Sequence, residues 1–161
     1  MFPKKYKQFL FFLVIAVAFF PMAHGQQKEM VIKNKIQAKS YVFIAQSVSP
    51  MRGSMRQLTT EYDLRVSPDS IISWLPYFGR AYSAPIASSE GGIKFTSTNF
   101  DYRVVNRSKD GWNITIKPKD VPDINQLLLT VFASGSASLQ VISNNREPIT
   151  FSGYISEKNK Q

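Results

Sequence analysis

From Ser40 to Ile155, apolar and polar residues alternate with a period of two, and this pattern restricts the fold more than any other feature. Successive side chains of a strand point to opposite faces, so alternation predicts half-buried strands. Residues 59–66 show it clearly, because Tyr62, Leu64 and Val66 are separated by charged residues. Short turns join the runs. Strands joined in this way must be antiparallel, since a parallel connection needs a crossover of a dozen or more residues.

The alternating runs predict eight or nine strands behind one helix. The runs are residues 40–46, 59–66, 71–75 with a continuation toward Pro85, 93–105, 112–116, 126–133, 136–142 and 149–155. The run 93–105 fits either one long strand or two bent ones. Residues 28–39 predict an amphipathic helix whose apolar stripe is Met30, Val31, Ile32 and Ile36. We expect a mainly β fold, an antiparallel curled sheet or barrel-like sheet with one N-terminal helix, and a two-sheet β-sandwich is the alternative.

The first 25 residues have the three-part layout of a secretory signal peptide. Three lysines precede the apolar run Phe9–Phe20, and the small residues of Ala23-His24-Gly25 follow it. A transmembrane anchor, the alternative, needs about 18 to 20 apolar residues, which is longer than this run of twelve. We therefore expect cleavage after Gly25, a single β-rich domain over residues 26–156, a polar tail at 157–161, and a periplasmic or secreted protein.

Cleavage would also remove the only histidine, His24, from a chain that has no cysteine. The usual ligands of zinc and haem and the usual histidine- or cysteine-based nucleophiles would then be absent. The mature chain is thus expected to be non-enzymatic, with no metal and no cofactor. A hydrolase that uses paired carboxylates remains an alternative, and a purely structural subunit is another.

The net charge gives little information about the partners of this protein. It is +9 for the whole chain and +6 after residue 25, because three of the twenty basic residues lie in the leader. The excess is spread along the chain, which favours a solvated surface over nucleic-acid binding. No later stretch is long and apolar enough to span a membrane. The expected partner is an unidentified ligand or envelope component.

One stretch concentrates aromatic residues around an arginine: Ser73 to Pro85, with the sequence SWLPYFGRAYSAP. Its candidate ligand-binding residues are Tyr77, Phe78, Arg80 and Tyr82. Alternation places Phe78, Arg80 and Tyr82 on one face, where rings could stack on a ligand and the guanidinium could bind an acid group. The alternative puts the rings in the core, with Arg80 paired to an outward acid such as Asp63 or Asp101. Pro76 also predicts an edge strand or a bulge.

A short motif suggests a modification. Asp69-Ser70-Ile71, in a predicted exposed turn, resembles the Asp-Ser/Thr-apolar site at which some envelope bacteria O-glycosylate exported proteins. Such short patterns recur by chance. The motif thus makes Ser70 a candidate O-glycosylation site and establishes no more than that.

Six segments together carry a resemblance to a known family. They are residues 62–66 (YDLRV), 75–82 (LPYFGRAY), 92–95 (GIKF), 100–102 (FDY), 112–116 (WNITI) and 131–141 (VFASGSASLQV). They resemble domain-of-unknown-function family 4251, over about residues 28–155. The resemblance implies an exported, mostly β domain of a type found in Bacteroidota envelopes, and it brings no activity. The leading hypothesis is a non-enzymatic binding module for a small ligand, glycan or partner protein.

Overall fold

The computed structural model describes residues 22–82, 91–108 and 110–156, with side chains from residue 26 onward. The described part holds one helix and nine strands. They are α1 Met22–Gln37, β1 Tyr41–Pro50, β2 Arg56–Val66, β3 Ile71–Pro76, β4 Gly92–Ser97, β5 Phe100–Asn106, β6 Trp112–Pro118, β7 Ile124–Val131, β8 Ser136–Ser143 and β9 Ile149–Ile155. All nine strands form one antiparallel, nearly closed barrel-like sheet, which confirms the expected fold over the sandwich alternative.

A bent strand brings the sheet close to closure. Its order is β4-β3-β2-β1-β9-β8-β7-β6-β5, so β1, the first strand along the chain, pairs with β9, the last strand along the chain. Every pairing is antiparallel, and eight such steps lead from β4 round to β5, which means that these two strands run in the same direction. Only Thr98 and Asn99 separate them. They are therefore two halves of one bent strand, of which the first pairs with β3 and the second with β6.

Asp120 holds the bend. Its carboxylate accepts hydrogen bonds from the Ser97 hydroxyl, from the Thr98 amide at 2.8 Å and from the Asn99 amide at 3.1 Å. The neighbouring Lys119 amide donates to the Asn99 carbonyl at 2.8 Å. Because the Ser97 hydroxyl and then the Thr98 amide favour the charged carboxylate, the pKa of Asp120 falls to about 2.

The inward side chains of the strands form the core, as the alternation predicts. Along β6, Trp112, Ile114 and Ile116 are buried while Asn113 and Lys117 are exposed. The largest fully buried side chains are Phe43, Phe151, Ile32, Ile36, Leu64, Ile71, Leu75, Ile114, Ile116, Leu127, Leu129 and Leu139.

Helix α1 covers one end of the barrel through a narrower stripe than the sequence predicts. Ile32 and Ile36, one turn apart, are buried, whereas Met30 and Val31 are exposed. The prediction that all four residues form one apolar face is therefore wrong, because residues four apart share a face and adjacent ones do not. The helix also spans Met22–Gln37 instead of 28–39. Most of the predicted leader and the tail at 157–161 lie outside the described residues, and cleavage after Gly25 remains a prediction.

Two tyrosines attach the helix to the sheet. The Tyr102 hydroxyl donates to the Ile36 carbonyl at 3.2 Å and lies 3.1 Å from the Tyr41 hydroxyl. Since Tyr102 already donates to the helix, Tyr41 supplies the proton between the two rings. Burial raises the pKa of Tyr102 to about 12 and that of Tyr41 well above its usual value. We call this part of the molecule the helix end.

A candidate binding site at the arginine end of the barrel

Three connections lie together at the opposite end of β1 and β9: loop 51–55, segment 77–82 and turn 144–148. We call this the arginine end. Strand β3, an interior strand of the sheet, stops at Pro76, because proline cannot donate to a ladder. Because β3 lies between β2 and β4 and its pairing shows no bulge, the predicted edge strand or bulge at Pro76 is wrong. Segment 77–82 crosses to the turn between β8 and β9, where the Tyr82 amide donates to the Asn145 carbonyl at 2.8 Å and the Glu147 amide to the Arg80 carbonyl at 3.0 Å.

Tyr77 fixes the course of this segment and is not a free binding group. Its hydroxyl lies 2.7 Å from the Arg80 carbonyl and 3.0 Å from the Glu147 carbonyl, both acceptors. The ring is half-buried, with the Arg146 guanidinium 5.2 Å from its centre. Burial, and then the charge of Glu147, raises the pKa of Tyr77. Gly79 permits the fold-back, since a Cβ there would lie 2.5 Å from the Tyr77 hydroxyl oxygen.

The other three candidate residues point to solvent. Phe78 is 41% exposed and Tyr82 is 70% exposed, and Arg80 is exposed between them. The rings of Phe78 and Tyr82 therefore lie outside the core. The alternative interpretation, which placed them in the core, is wrong.

The suggested partners of Arg80 have other partners. Asp63 accepts a hydrogen bond from Arg65 at 3.1 Å, and Asp101 pairs with Lys119 at 2.6 Å. Within the described part of the chain, Arg80 forms no ion pair. Its side chain is exposed to solvent.

Beneath the segment lie two buried charges that sequence reasoning missed. Arg146 and Glu147 are each 5% exposed. Arg146 donates to the Gly92 carbonyl at 2.9 Å and pairs with Asp123 at 3.2 Å, while Glu147 lies 3.7 Å from Arg52. Their surroundings in sequence, Asn144 to Pro148, indicate only an exposed turn, and no local signal shows that a distant segment covers it.

Exposed apolar and cationic side chains surround the crossing segment. Loop 51–55 contributes Met51, Arg52 and Met55, and β2 begins with Arg56, all of them exposed. The Arg56 guanidinium lies 5.1 Å from the centre of the Phe78 ring. The arginine-end surface thus consists of Met51, Arg52, Met55, Arg56, Phe78, Arg80 and Tyr82. Exposed clusters of methionine, aromatic rings and arginine are typical of binding surfaces.

Other features of the described surface have less to offer a ligand. A shallow depression of about 430 Å³ on the outer wall is lined mainly by serine and glutamine side chains, with Phe132 at its margin. Trp74, outside the candidate set, is exposed beneath the Lys94 ammonium group, 3.9 Å from its ring centre. The two buried carboxylates of the described residues, Asp63 and Glu147, pair with different arginines. No cluster of three His, Cys, Asp or Glu residues able to hold a metal occurs among the described residues.

Ser70 lies in a hydrogen-bonded turn. Its half-buried hydroxyl is 2.7 Å from the Ser67 hydroxyl and 3.3 Å from the Asp69 carboxylate. The Ser67 hydroxyl also donates to Asp69 at 2.7 Å, and this bond is the main cause of the lowered pKa of Asp69. A glycan on Ser70 would have to replace these bonds. The modification remains a prediction.

Nine antiparallel strands in a sheet that a bent strand nearly closes, with a helix at one end, define a barrel-like β protein. The family described as a domain of unknown function (DUF4251) matches residues 23–155, and the chain belongs to that family. A DUF4251 family protein from Bacteroides eggerthii DSM 20697, known from a 1.95 Å crystal structure, has a similar fold, with a TM-score of 0.57 at 17% identity over 80% of this chain and 86% of that one. No curated protein matches the chain.

The described helix has neither the length nor the apolarity to cross a membrane.

Proposed function

We propose that this protein is a non-enzymatic binding protein of the bacterial envelope, and that its arginine-end surface binds a small ligand carrying an acid group beside a flat, apolar face. An acidic glycan is the first candidate. The observation that carries the proposal is the exposure of Phe78, Arg80 and Tyr82 on one segment whose backbone is tied down by Tyr77.

The chemistry of these side chains suits such a ligand. A guanidinium offers a planar fork of donors that matches a carboxylate or a phosphate, and an aromatic ring offers a flat apolar surface. Arg52, Arg56 and Arg80 are the exposed cations of the surface, and the seven residues that form it include no acid. Arg52 lies 3.7 Å from the buried Glu147 beneath them. The fixed backbone limits the ordering cost of binding.

Calorimetric titration of the mature protein with acidic oligosaccharides, beside neutral oligosaccharides of the same length, tests the proposal. We expect saturable binding of the acidic series only. The double variant Arg80→Ala/Tyr82→Ala should weaken it by about tenfold or more, which corresponds to the loss of one charged contact and one ring contact. Both side chains are exposed, so the free energy of unfolding should change by less than about 0.5 kcal/mol per site.

Trp74→Ala is the matched control, because Trp74 is also an exposed ring but lies on the outer wall. It should bind like the wild type. Undiminished binding by the Arg80→Ala/Tyr82→Ala variant would remove the proposed site, and conversion of the bound oligosaccharide, followed by NMR, would contradict a non-enzymatic role.

The envelope location rests on the leader pattern of residues 1–25. Expression of the full chain in a Bacteroidota host, followed by fractionation and mass measurement, should give a periplasmic or secreted product that begins at Gln26. A product that keeps residues 1–25 in the cytoplasm would contradict this part of the proposal.

A further inference from the structure

Strand β5 is an exposed edge in a sheet that is otherwise nearly closed. It is the last strand in the sheet order, and among the described strands it pairs only with β6. Both faces of its second half are exposed, with Val104 37% and Val105 47% exposed and Arg103 and Asn106 also exposed. Such an edge is a template for a further strand unless the protein guards it.

The hydrogen bonds of β5 show which of its backbone groups are unpaired. The Lys119 amide donates to the Asn99 carbonyl at 2.8 Å, and the Arg107 amide donates to the Gly111 carbonyl at 3.0 Å. Residues alternate between the two sides of an antiparallel strand. Odd-numbered residues from 99 to 107 therefore bond to β6, and Val104 and Asn106 direct their N–H and C=O groups to the edge, where no strand pairs with them among the described residues.

We propose that this edge pairs with the same edge of a second copy of the chain, antiparallel and about a two-fold axis at Val104. In this register Val104 lies opposite Val104, Arg103 opposite Val105, and Asp101 opposite Arg107 of the second copy. The last pair occurs twice and brings opposite charges together on the same face of the joined sheet. Opposite charges in direct cross-strand pairs stabilise a sheet.

The neighbouring registers are less favourable for reasons of charge and shape. Hydrogen bonding requires even-numbered residues to face each other, so the register can shift only in steps of two. An axis at Arg103 would place Arg103 against Arg103, and an axis at Val105 would place Arg103 against Arg107. An axis at Tyr102 would extend the ladder into the bend at residues 98–99, where the strand turns away.

The charges needed for the pairing are present on β5 itself. Arg107 has no ion pair within the described part of the chain; its guanidinium lies 4.9 Å from the centre of the Phe132 ring, and its buried Nη1 has no hydrogen-bond partner there. Asp101 is exposed and binds Lys119 through one carboxylate oxygen, Oδ1. Its other oxygen remains for a second cation.

Single cysteines test the register directly, because the chain has no cysteine of its own. In the proposed dimer the two Val104 Cα atoms are a hydrogen-bonded pair about 5.5 Å apart, within the range of a disulfide. We expect mild oxidation to link the mature Val104→Cys protein into dimers. Val105→Cys is the matched control, since its Cα atoms would be about 8 Å apart. It should give about one-tenth of the product or less. Equal or greater linking at position 105 would overturn the register.

Sedimentation equilibrium of the cysteine-free protein tests the dimer itself. Reversing both attractive pairs in Asp101→Arg should raise the dimer dissociation constant by about tenfold or more. The double exchange Asp101→Arg/Arg107→Asp should restore it. A wild-type protein that stays monomeric up to about 1 mM, or a double exchange as weak as Asp101→Arg with an unchanged thermal melt, would overturn the proposal. The inference does not depend on the proposed ligand site.

Discussion

A tyrosine hydroxyl attaches the covering segment at both the helix end and the arginine end of the barrel, but the two ends expose different side chains. At each end a tyrosine hydroxyl binds backbone carbonyls. Tyr102 of the sheet binds Ile36 of the helix, and Tyr77, within segment 77–82, binds Arg80 of that segment and Glu147 of the turn beneath it. The helix covers the core with isoleucines, whereas segment 77–82 covers ion pairs and turns rings and a guanidinium outward. A tyrosine hydroxyl thus holds a buried helix face at one end and a segment with exposed side chains at the other.

The difference lies in what the covering segment buries. Ile32 and Ile36 bury apolar surface, which stabilises the fold without any requirement for a partner. Arg146 and Glu147 are buried charges, whose desolvation cost is offset only while their partners stay in place. The helix end should therefore tolerate loss of a polar contact, and the arginine end should not.

Arg146→Ala should have the largest effect on stability. It leaves Asp123 and the Gly92 carbonyl without their donor, so we expect the free energy of unfolding to fall by about 3 kcal/mol. Urea denaturation followed by circular dichroism measures this. Arg80→Ala, which removes an exposed arginine of the same end, should change stability by less than about 0.5 kcal/mol. Equal effects of the two variants would show that the buried charges do not distinguish the arginine end.

Tyr102→Phe should cost less, about 1 kcal/mol at neutral pH, because the helix keeps its apolar contacts. The pKa of Tyr102 is raised to about 12, from an unfolded value near 10. Its contribution is then complete below pH 10 and is lost as the pH rises toward 12.

Denaturation curves between pH 8 and 12 should therefore show a shallower alkaline loss for Tyr102→Phe than for the wild type. Tyr82→Phe serves as the control, because it removes an exposed hydroxyl of the arginine end. An unchanged alkaline slope in Tyr102→Phe would show that this hydroxyl does not link the helix to the barrel.

Asp120→Asn should have the smallest effect at neutral pH, because the Asp120 side chain is exposed to solvent, and it tests the bend of the strand. The folded pKa of Asp120 is about 2, below its usual value of 3.8. A lowered pKa contributes stability that is present above pH 3.8 and is lost as the pH falls toward 2. The wild type should thus lose more stability than Asp120→Asn over this interval. Asp110→Asn, which removes a carboxylate of the exposed 108–111 hairpin, is the control.

Sequence patterning predicts the class of this fold because its strands lie next to one another along the chain. Alternation of apolar residues marks both halves of the bent strand, including Tyr102, and leaves open only whether 93–105 is one strand or two. The helix face is less well predicted, since Met30 lies near the apolar stripe in sequence but projects away from the barrel.

The candidate site is predicted only in part. A run of rings around Arg80 identifies a segment whose side chains are largely exposed, but strand alternation cannot describe residues beyond Pro76. The distinct role of Tyr77 depends on a contact 70 residues away, with Glu147. Such a contact leaves no local pattern, and for the same reason the buried Arg146 and Glu147 resemble ordinary turn residues.

The pairing of β1 with β9 has a consequence for the time course of synthesis. About a hundred residues separate Pro50 from its partner Ile149, and ribosomes add roughly 5 to 20 residues per second. For several seconds at least, the first strand therefore has β2 on one side and nothing on the other. A chain that began to fold at once would expose the unpaired edge of β1 to other chains throughout that interval. Any factor that holds the chain extended until residue 155 emerges should therefore raise the yield of folded protein.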